Sequence, residues 1–251
     1  MQYLLYLFCF CMMFQTGRAQ LFSQSFNSSG NINDYVNATS PSSGQFTFAA
    51  AAGVNGSITV SNKKMKMVRK NCTGPHNSCF ARNVDFAATA PQLLKMTFKL
   101  NAVCGVTNLP SPPAVLALFN IGSGFTNDYA TNSTTTHTRF AIYTDSASSG
   151  RFRIMDNHVP ASATVQSPYF VEEQQFTLIT NNSGISKSYA GPDGNTYTLA
   201  NDKWDMWAGN SRFFTGVAAA GASHSLQNFK MLFYSNSGTI VMDDLVFTAL
   251  P

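Results

Sequence analysis

Apolar and polar residues alternate with a period of two along most of the chain, and the 3.6-residue spacing of amphipathic helices is almost absent. The alternation predicts strands at 21–26, 45–50, 57–61, 64–70, 79–86, 93–103, 114–121, 137–144, 151–156, 174–180, 186–190, 195–199, 228–235 and 239–248. Turn-forming residues separate them, as at Ser61-Asn62-Lys63, Asp145 to Gly150, and Gly191-Pro192-Asp193-Gly194-Asn195. The segment 216–226 is the one stretch that reads as a helical turn, and its glycines weaken it. Short strands at regular spacing, without alternation of strand and helix, predict one all-β domain over residues 20–251. Its expected form is an antiparallel β-sandwich or jelly roll.

The first residues stand apart from that pattern. Residues 4–14 form an apolar run of eleven, too short to span a bilayer, and Gly17-Arg18-Ala19 follows with small residues before Gln20. Residues 1–19 therefore read as a secretory signal peptide, although no Lys or Arg precedes the run. The expected product is secreted, extracellular or at the cell surface, monomeric and without a membrane span. Hydrophobic residues make up 44% of the chain and charged ones 11%, so it can bury a core large enough to fold. The net charge of +4 with no basic run excludes nucleic acid as a partner.

Export also frames the cysteines. Cys72 and Cys79 bracket Thr-Gly-Pro-His-Asn-Ser, a turn-rich segment able to bring two strand ends within disulfide range. A Cys72–Cys79 bridge is expected, leaving Cys104 as a buried thiol; the alternative is a Cys72–Cys104 pair across neighbouring strands. The cysteine spacings do not suit zinc.

The two ends of the domain carry a resemblance. It opens with Leu21-Phe-Ser-Gln-Ser-Phe26 followed by Tyr35, and closes with Gly238-Thr-Ile-Val-Met-Asp-Asp-Leu-Val-Phe247. Phe119-Asn-Ile-Gly-Ser-Gly-Phe125 and Trp204-Asp-Met-Trp-Ala-Gly-Asn210 lie between them. Together they resemble secreted bacterial jelly-roll and concanavalin A-like β-sandwich domains of the carbohydrate-binding-module and adhesin type. That resemblance implies a concanavalin A-like sandwich and a polysaccharide or glycoconjugate partner. It also implies a structural calcium beside the opening strand, held by Asp243 or Asp244. The opening strand departs from the pattern by having Asn27 in place of an acidic residue.

Candidate chemistry gathers in the hairpin 137–156. If Phe140, Ile142, Phe152 and Ile154 face inward, then His137, Arg139, Tyr143, Arg151 and Arg153 share the outer face. A turn from Asp145 to Gly150 would set Tyr143 opposite Arg151, and Ala141 opposite Arg153. Guanidinium forks suit carboxylate or sulfate, and a phenol ring offers a flat face for a sugar. The first reading is thus a glycan-binding or surface-interaction module without catalysis, with Arg139, Tyr143, Arg151, Arg153 and one of Trp204 and Trp207 at the ligand. The enzymatic alternative is a polysaccharide lyase acting on a uronate polymer, with Arg139 neutralising the carboxylate and His137 and Tyr143 moving protons. A purely structural or adhesive domain is the third. Paired-carboxylate hydrolysis is disfavoured, because Glu172 and Glu173 are adjacent and would point to opposite faces of a strand.

Overall fold

The computed structural model describes residues 19–70, 78–105, 114–145, 150–156, 165–233 and 236–251, and arranges their sixteen strands in two facing sheets and a small hairpin. In chain order the strands are β1 (Ala19–Gln24), β2 (Phe48–Ala51), β3 (Gly56–Ser61), β4 (Lys64–Arg69), β5 (Ser78–Arg82), β6 (Leu93–Cys104), β7 (Ala114–Gly122) and β8 (Thr136–Thr144). They continue as β9 (Phe152–Asp156), β10 (Gln174–Asn181), β11 (Lys187–Ala190), β12 (Thr196–Leu199), β13 (Lys203–Ala208), β14 (Ser211–Ala218), β15 (Asn228–Phe233) and β16 (Gly238–Leu250).

One sheet has eight strands in the order β14-β13-β10-β6-β16-β4-β3, with β1 also on β16; the other runs β2-β5-β15-β7-β8-β9. The strand pairings within both sheets are antiparallel, and the architecture is the jelly-roll, concanavalin A-like sandwich expected from the period-two pattern. The core between the sheets is dense in Phe. Phe98, Phe119, Phe140 and Phe229 stack nearly parallel at centroid distances of 5.2–6.3 Å, and Phe22, Phe46, Phe80 and Phe247 extend the cluster. Such ring pairs add about 0.5–1.5 kcal/mol each beyond the area they bury.

β16 organises the larger sheet. One of its edges pairs with β6 along nearly its whole length, while the other is shared by β4 (Gly238–Met242) and β1 (Leu245–Ala249). A bulge at Asp243–Asp244, with Asp244 at φ 49°, separates the two partners.

The sequence reading differs from the structure at two places. The segment 216–226 is not helical: 211–218 is β14, and 219–227 is irregular. β13 and β14 were absent from the strand reading because both faces of β13 are covered, Trp204 and Met206 by the core and Asp205 and Trp207 by the β11–β12 hairpin. Of the expected Cys72–Cys79 pair, Cys79 is a free, fully buried thiol on β5, while Cys72 lies outside the described residues, as do residues 1–18 of the expected leader. Burial pushes the Cys79 thiol up to about 12, with the nearby Lys230 ammonium offsetting part of that rise.

The outer face of the six-stranded sheet is covered over β2, β15 and β7. The connection between β7 and β8 lies across it, anchored by Lys230, whose side chain has no solvent exposure. Its ammonium donates to Thr126 O at 3.0 Å, Asp128 Oδ1 at 2.8 Å and Asn132 Oδ1 at 2.8 Å. Tyr129, from the same connection, sits edge-on to Phe48 at 5.7 Å.

Candidate functional site: an arginine–tyrosine patch beside β9

β8 and β9 form the expected hairpin with Phe140, Ile142, Phe152 and Ile154 inward, but its register is shifted. Tyr143 faces Arg153 and Ala141 faces Met155, so Arg151 falls beyond the last pair, Thr144–Phe152. The hairpin's polar residues consequently divide into three environments.

His137 points inward. On the β7 side, Ile121 pairs with Thr138 and Gly122 with Thr136, which makes His137 the extra residue of a bulge. A bulge interrupts the alternation and re-aims the side chain, and here the imidazole is fully buried. Nδ1 lies 2.9 Å from Thr138 Oγ1 and 3.4 Å from Thr180 Oγ1 on the opposite sheet, and Nε2 lies 3.5 Å from Asp202 Oδ1. Burial lowers the His137 pKa, the Asp202 carboxylate works against that, and His224 adds to it. Arg139 stays on the outer face but is turned along the sheet, donating through Nε to Asn120 at 2.7 Å and through Nη2 to Thr131 O at 3.3 Å. His137, Arg139 and Tyr143 therefore do not converge, and the trio expected of a lyase is not assembled.

Tyr143, Arg151 and Arg153 do come together, around a residue the sequence reading missed. Tyr169 belongs to the extended segment that runs back along β9, where Phe170 and Phe152 exchange backbone hydrogen bonds. The Arg151 and Arg153 guanidiniums sit 4.7 and 4.9 Å from its ring centroid. Each such contact contributes about 0.5–1 kcal/mol at an exposed site, so together they fix the ring's orientation. Tyr169 remains 39% exposed. Arg151 also pairs with Asp145 at 2.6 Å, whereas Arg153 makes no ion pair among the described residues and its buried Nε lacks a hydrogen-bond partner there. Tyr143 titrates above its ordinary range because it is partly buried, with Arg153 pulling the other way, so its hydroxyl keeps its proton at neutral pH. The result is a half-exposed surface of two phenol rings and two guanidiniums. No periodicity marks Tyr169, which lies outside any strand; the only hint in the sequence is an aromatic between Pro168 and Phe170.

The remaining candidates go elsewhere. Trp204 lies in the inter-sheet core, donating to Ala218 O at 3.2 Å, and Trp207 is buried beneath the β11–β12 hairpin. Neither reaches solvent, which removes both from a ligand surface. Their neighbours explain the burial: Tyr189 pairs with Tyr197 across the hairpin, and the Tyr189 hydroxyl donates to Asp205. Arg212 bonds the same carboxylate at 3.2 Å and lies 4.1 Å from the Tyr197 ring centroid. At the expected calcium position, Asp243 keeps a buried Oδ1 without a hydrogen-bond partner among the described residues. Asp244 pairs with Lys99 at 2.7 Å, and among the described residues no group of three or more His, Cys, Asp or Glu is placed to hold a metal ion.

No family model and no curated protein matches the sequence. Solved structures do match. A carbohydrate esterase of the Shiga toxin-encoding bacteriophage phi24B aligns over 94% of this chain and 100% of its own, with a TM-score of 0.52 and 12% identity. A sialidase aligns over 80% of this chain at a TM-score of 0.50 and 8% identity, and the matched region spans only 17% of the sialidase's length. The potassium-bound carbohydrate recognition domain of Emp46p aligns over 77% of this chain and 86% of its own, with a TM-score of 0.44 and 7% identity. At these identities the likeness is one of fold. Fold alone does not carry function, which must be argued from the site. Among the described residues no helix is long and apolar enough to cross a membrane.

Proposed function

We propose that the chain is an exported glycan-binding module that recognises acidic polysaccharides through Tyr143, Arg151, Arg153 and Tyr169. The observation that carries this reading is the Tyr169 ring held between two guanidiniums while 39% exposed. Arg153 supplies a planar fork for a carboxylate or sulfate, and Tyr143 supplies a ring face and a hydroxyl donor. The patch is rigid because Arg151 is tied to Asp145 and the Tyr169 segment is hydrogen-bonded along β9, so little ordering entropy is lost on binding. Solved structures of similar fold include a carbohydrate esterase and a sialidase, which is consistent with this ligand class. The reading places the protein outside the cell after removal of residues 1–19. Ala19 and Gln20 are exposed at the start of β1, so a cut between them leaves the Phe22–Phe247 pairing intact.

Affinity electrophoresis in gels containing alginate, heparin or neutral dextran tests the proposal. Alginate or heparin should retard the protein and dextran should not. Arg153→Ala and Tyr169→Ala should each relieve the retardation at least fivefold, with thermal melting confirming that both remain folded. Equal mobility in all three gels, or retardation indifferent to both substitutions, overturns the assignment.

A further inference from the structure

A second feature lies on the other lateral edge of the sandwich, where β2 meets β3, away from the β9–β14 side that carries Tyr169. It follows from the divided edge of β16. At the Asp243–Asp244 bulge, the chain leaving β1 and the turn joining β3 to β4 diverge. Between them opens a cavity of about 300 Å³, lined by residues 26–30, Val60, Asn62 and Lys63.

The backbone around this cavity is unusual. Seven non-glycine residues among those described have left-handed φ, and three of them line it: Phe26 at 52°, Asn62 at 53° and Lys63 at 60°. Left-handed backbone is unfavourable for a bulky aromatic and for Lys. Asn62 and Lys63 form a two-residue hairpin turn with both residues left-handed, a geometry in which glycine is strongly preferred at the second position. The chain places an ammonium there instead. Lys63 is exposed and makes no ion pair among the described residues, while its neighbour Lys64 is held by Glu173 at 2.5 Å. Asn62 suits its place in that turn, so the uncommon residues for this backbone are Phe26 and Lys63, and both border the same concave, polar surface. The chemistry is also coherent: Phe26 and Val60 give an apolar floor, Asn27, Ser28 and Asn62 give amide and hydroxyl groups, and Lys63 gives one cation. The volume suits a single pyranose ring.

We propose that this cavity is a second ligand site, taking one sugar residue that bears a carboxylate. Lys63 meets the carboxylate, Asn27 and Asn62 meet ring hydroxyls, and the apolar floor lies under the C–H face of the ring. The choice of a sugar rests on the glycan-binding reading above, but the site shares no residue with that patch.

Titration of the full chain with sodium glucuronate and with glucose, followed by two-dimensional NMR, tests the inference. Glucuronate should shift resonances of residues 26–30 and 60–63 saturably in the millimolar range, and glucose should bind at least fivefold more weakly. Lys63→Gly should weaken glucuronate at least tenfold while raising the melting temperature by about 2–4 °C, because the turn regains its preferred residue. Lys63→Gln, which keeps a polar side chain but removes the charge, should also lose the preference for glucuronate. Arg153→Ala should leave this binding unchanged. Absence of saturable glucuronate binding, equal affinity for glucose, or Lys63→Gly binding within twofold of wild type overturns the second site. Loss of Arg153-dependent retention in polysaccharide gels would instead sink the first reading, so the two failures are separable.

Discussion

Replacing Asp128 with Asn isolates the charge that holds Lys230 beneath the β7–β8 connection. Asn keeps an oxygen for Lys230 and for the Ala130 amide, which donates to Asp128 at 2.9 Å, and removes only the negative charge. In the folded protein the Lys230 hydrogen bond is the main cause holding the Asp128 carboxyl down at about 2, against an ordinary 3.8. At 1.36 kcal/mol per tenfold change, that difference corresponds to at most about 2.4 kcal/mol. Half of the Asp128 side chain is exposed, so solvent screening reduces the expected contribution to about 1 kcal/mol. The sign follows from the depressed folded pKa: the stabilisation is complete above pH 4 and disappears as pH falls toward 2. Urea unfolding at pH 7 should therefore show Asp128→Asn about 1 kcal/mol less stable than wild type, with the gap closing by pH 2.5. On a Lys230→Met background the same substitution should be neutral within about 0.3 kcal/mol. A pH-independent gap, or additive effects of the two substitutions, would refute the reasoning.

His137 and Cys79 give further checks. Because burial lowers the folded His137 pKa, the unfolded chain binds the proton more readily below pH 6.5, and stability falls on acidification. The melting temperature should accordingly drop less steeply from pH 8 to pH 5 in His137→Gln than in wild type; parallel slopes would exclude His137 as a source of acid sensitivity. With its thiol pushed up to about 12 and fully buried, Cys79 should resist iodoacetamide at pH 8 in the folded protein. Peptide mapping should find it alkylated after unfolding without reductant, and recovery only after reduction would restore the bridge.

The strands were legible because one face of most of them meets the core and the other meets water, which writes a period of two into the sequence. β13 and β14 escaped for physical reasons. A hairpin covers the outer face of β13, so Trp204-Asp205-Met206-Trp207 shows no clean alternation. β14 departs from regular register twice along β13, which puts Phe213 beside Phe214 and breaks its period. The site was half legible. Alternation identified the Tyr143–Arg153 face, but a single inserted residue turned His137 to the opposite side of the sheet, and bulges leave no local mark. Arg139 read as a ligand contact, yet Asn120 and the β7–β8 connection hold its guanidinium, and Lys230 lies buried beneath the same connection. Tyr169 joined the patch through tertiary contacts alone, because the segment carrying it has no repeating pattern.

The divided edge of β16 also bears on how the domain assembles. β1, β4 and β6 do not hydrogen-bond to one another in the larger sheet; each is joined through residues 238–250. A chain synthesised from its N-terminus therefore holds these three strands unjoined to one another until residues 238–250 emerge. Closing the sheet then brings Gln20 beside Thr248, residues far apart in the sequence, and pairings of such high contact order are slow to form. The larger sheet is thus completed late, and loss of residues 238–250 would leave β1 without a strand partner and part the β3–β4 pair from β6 and β10.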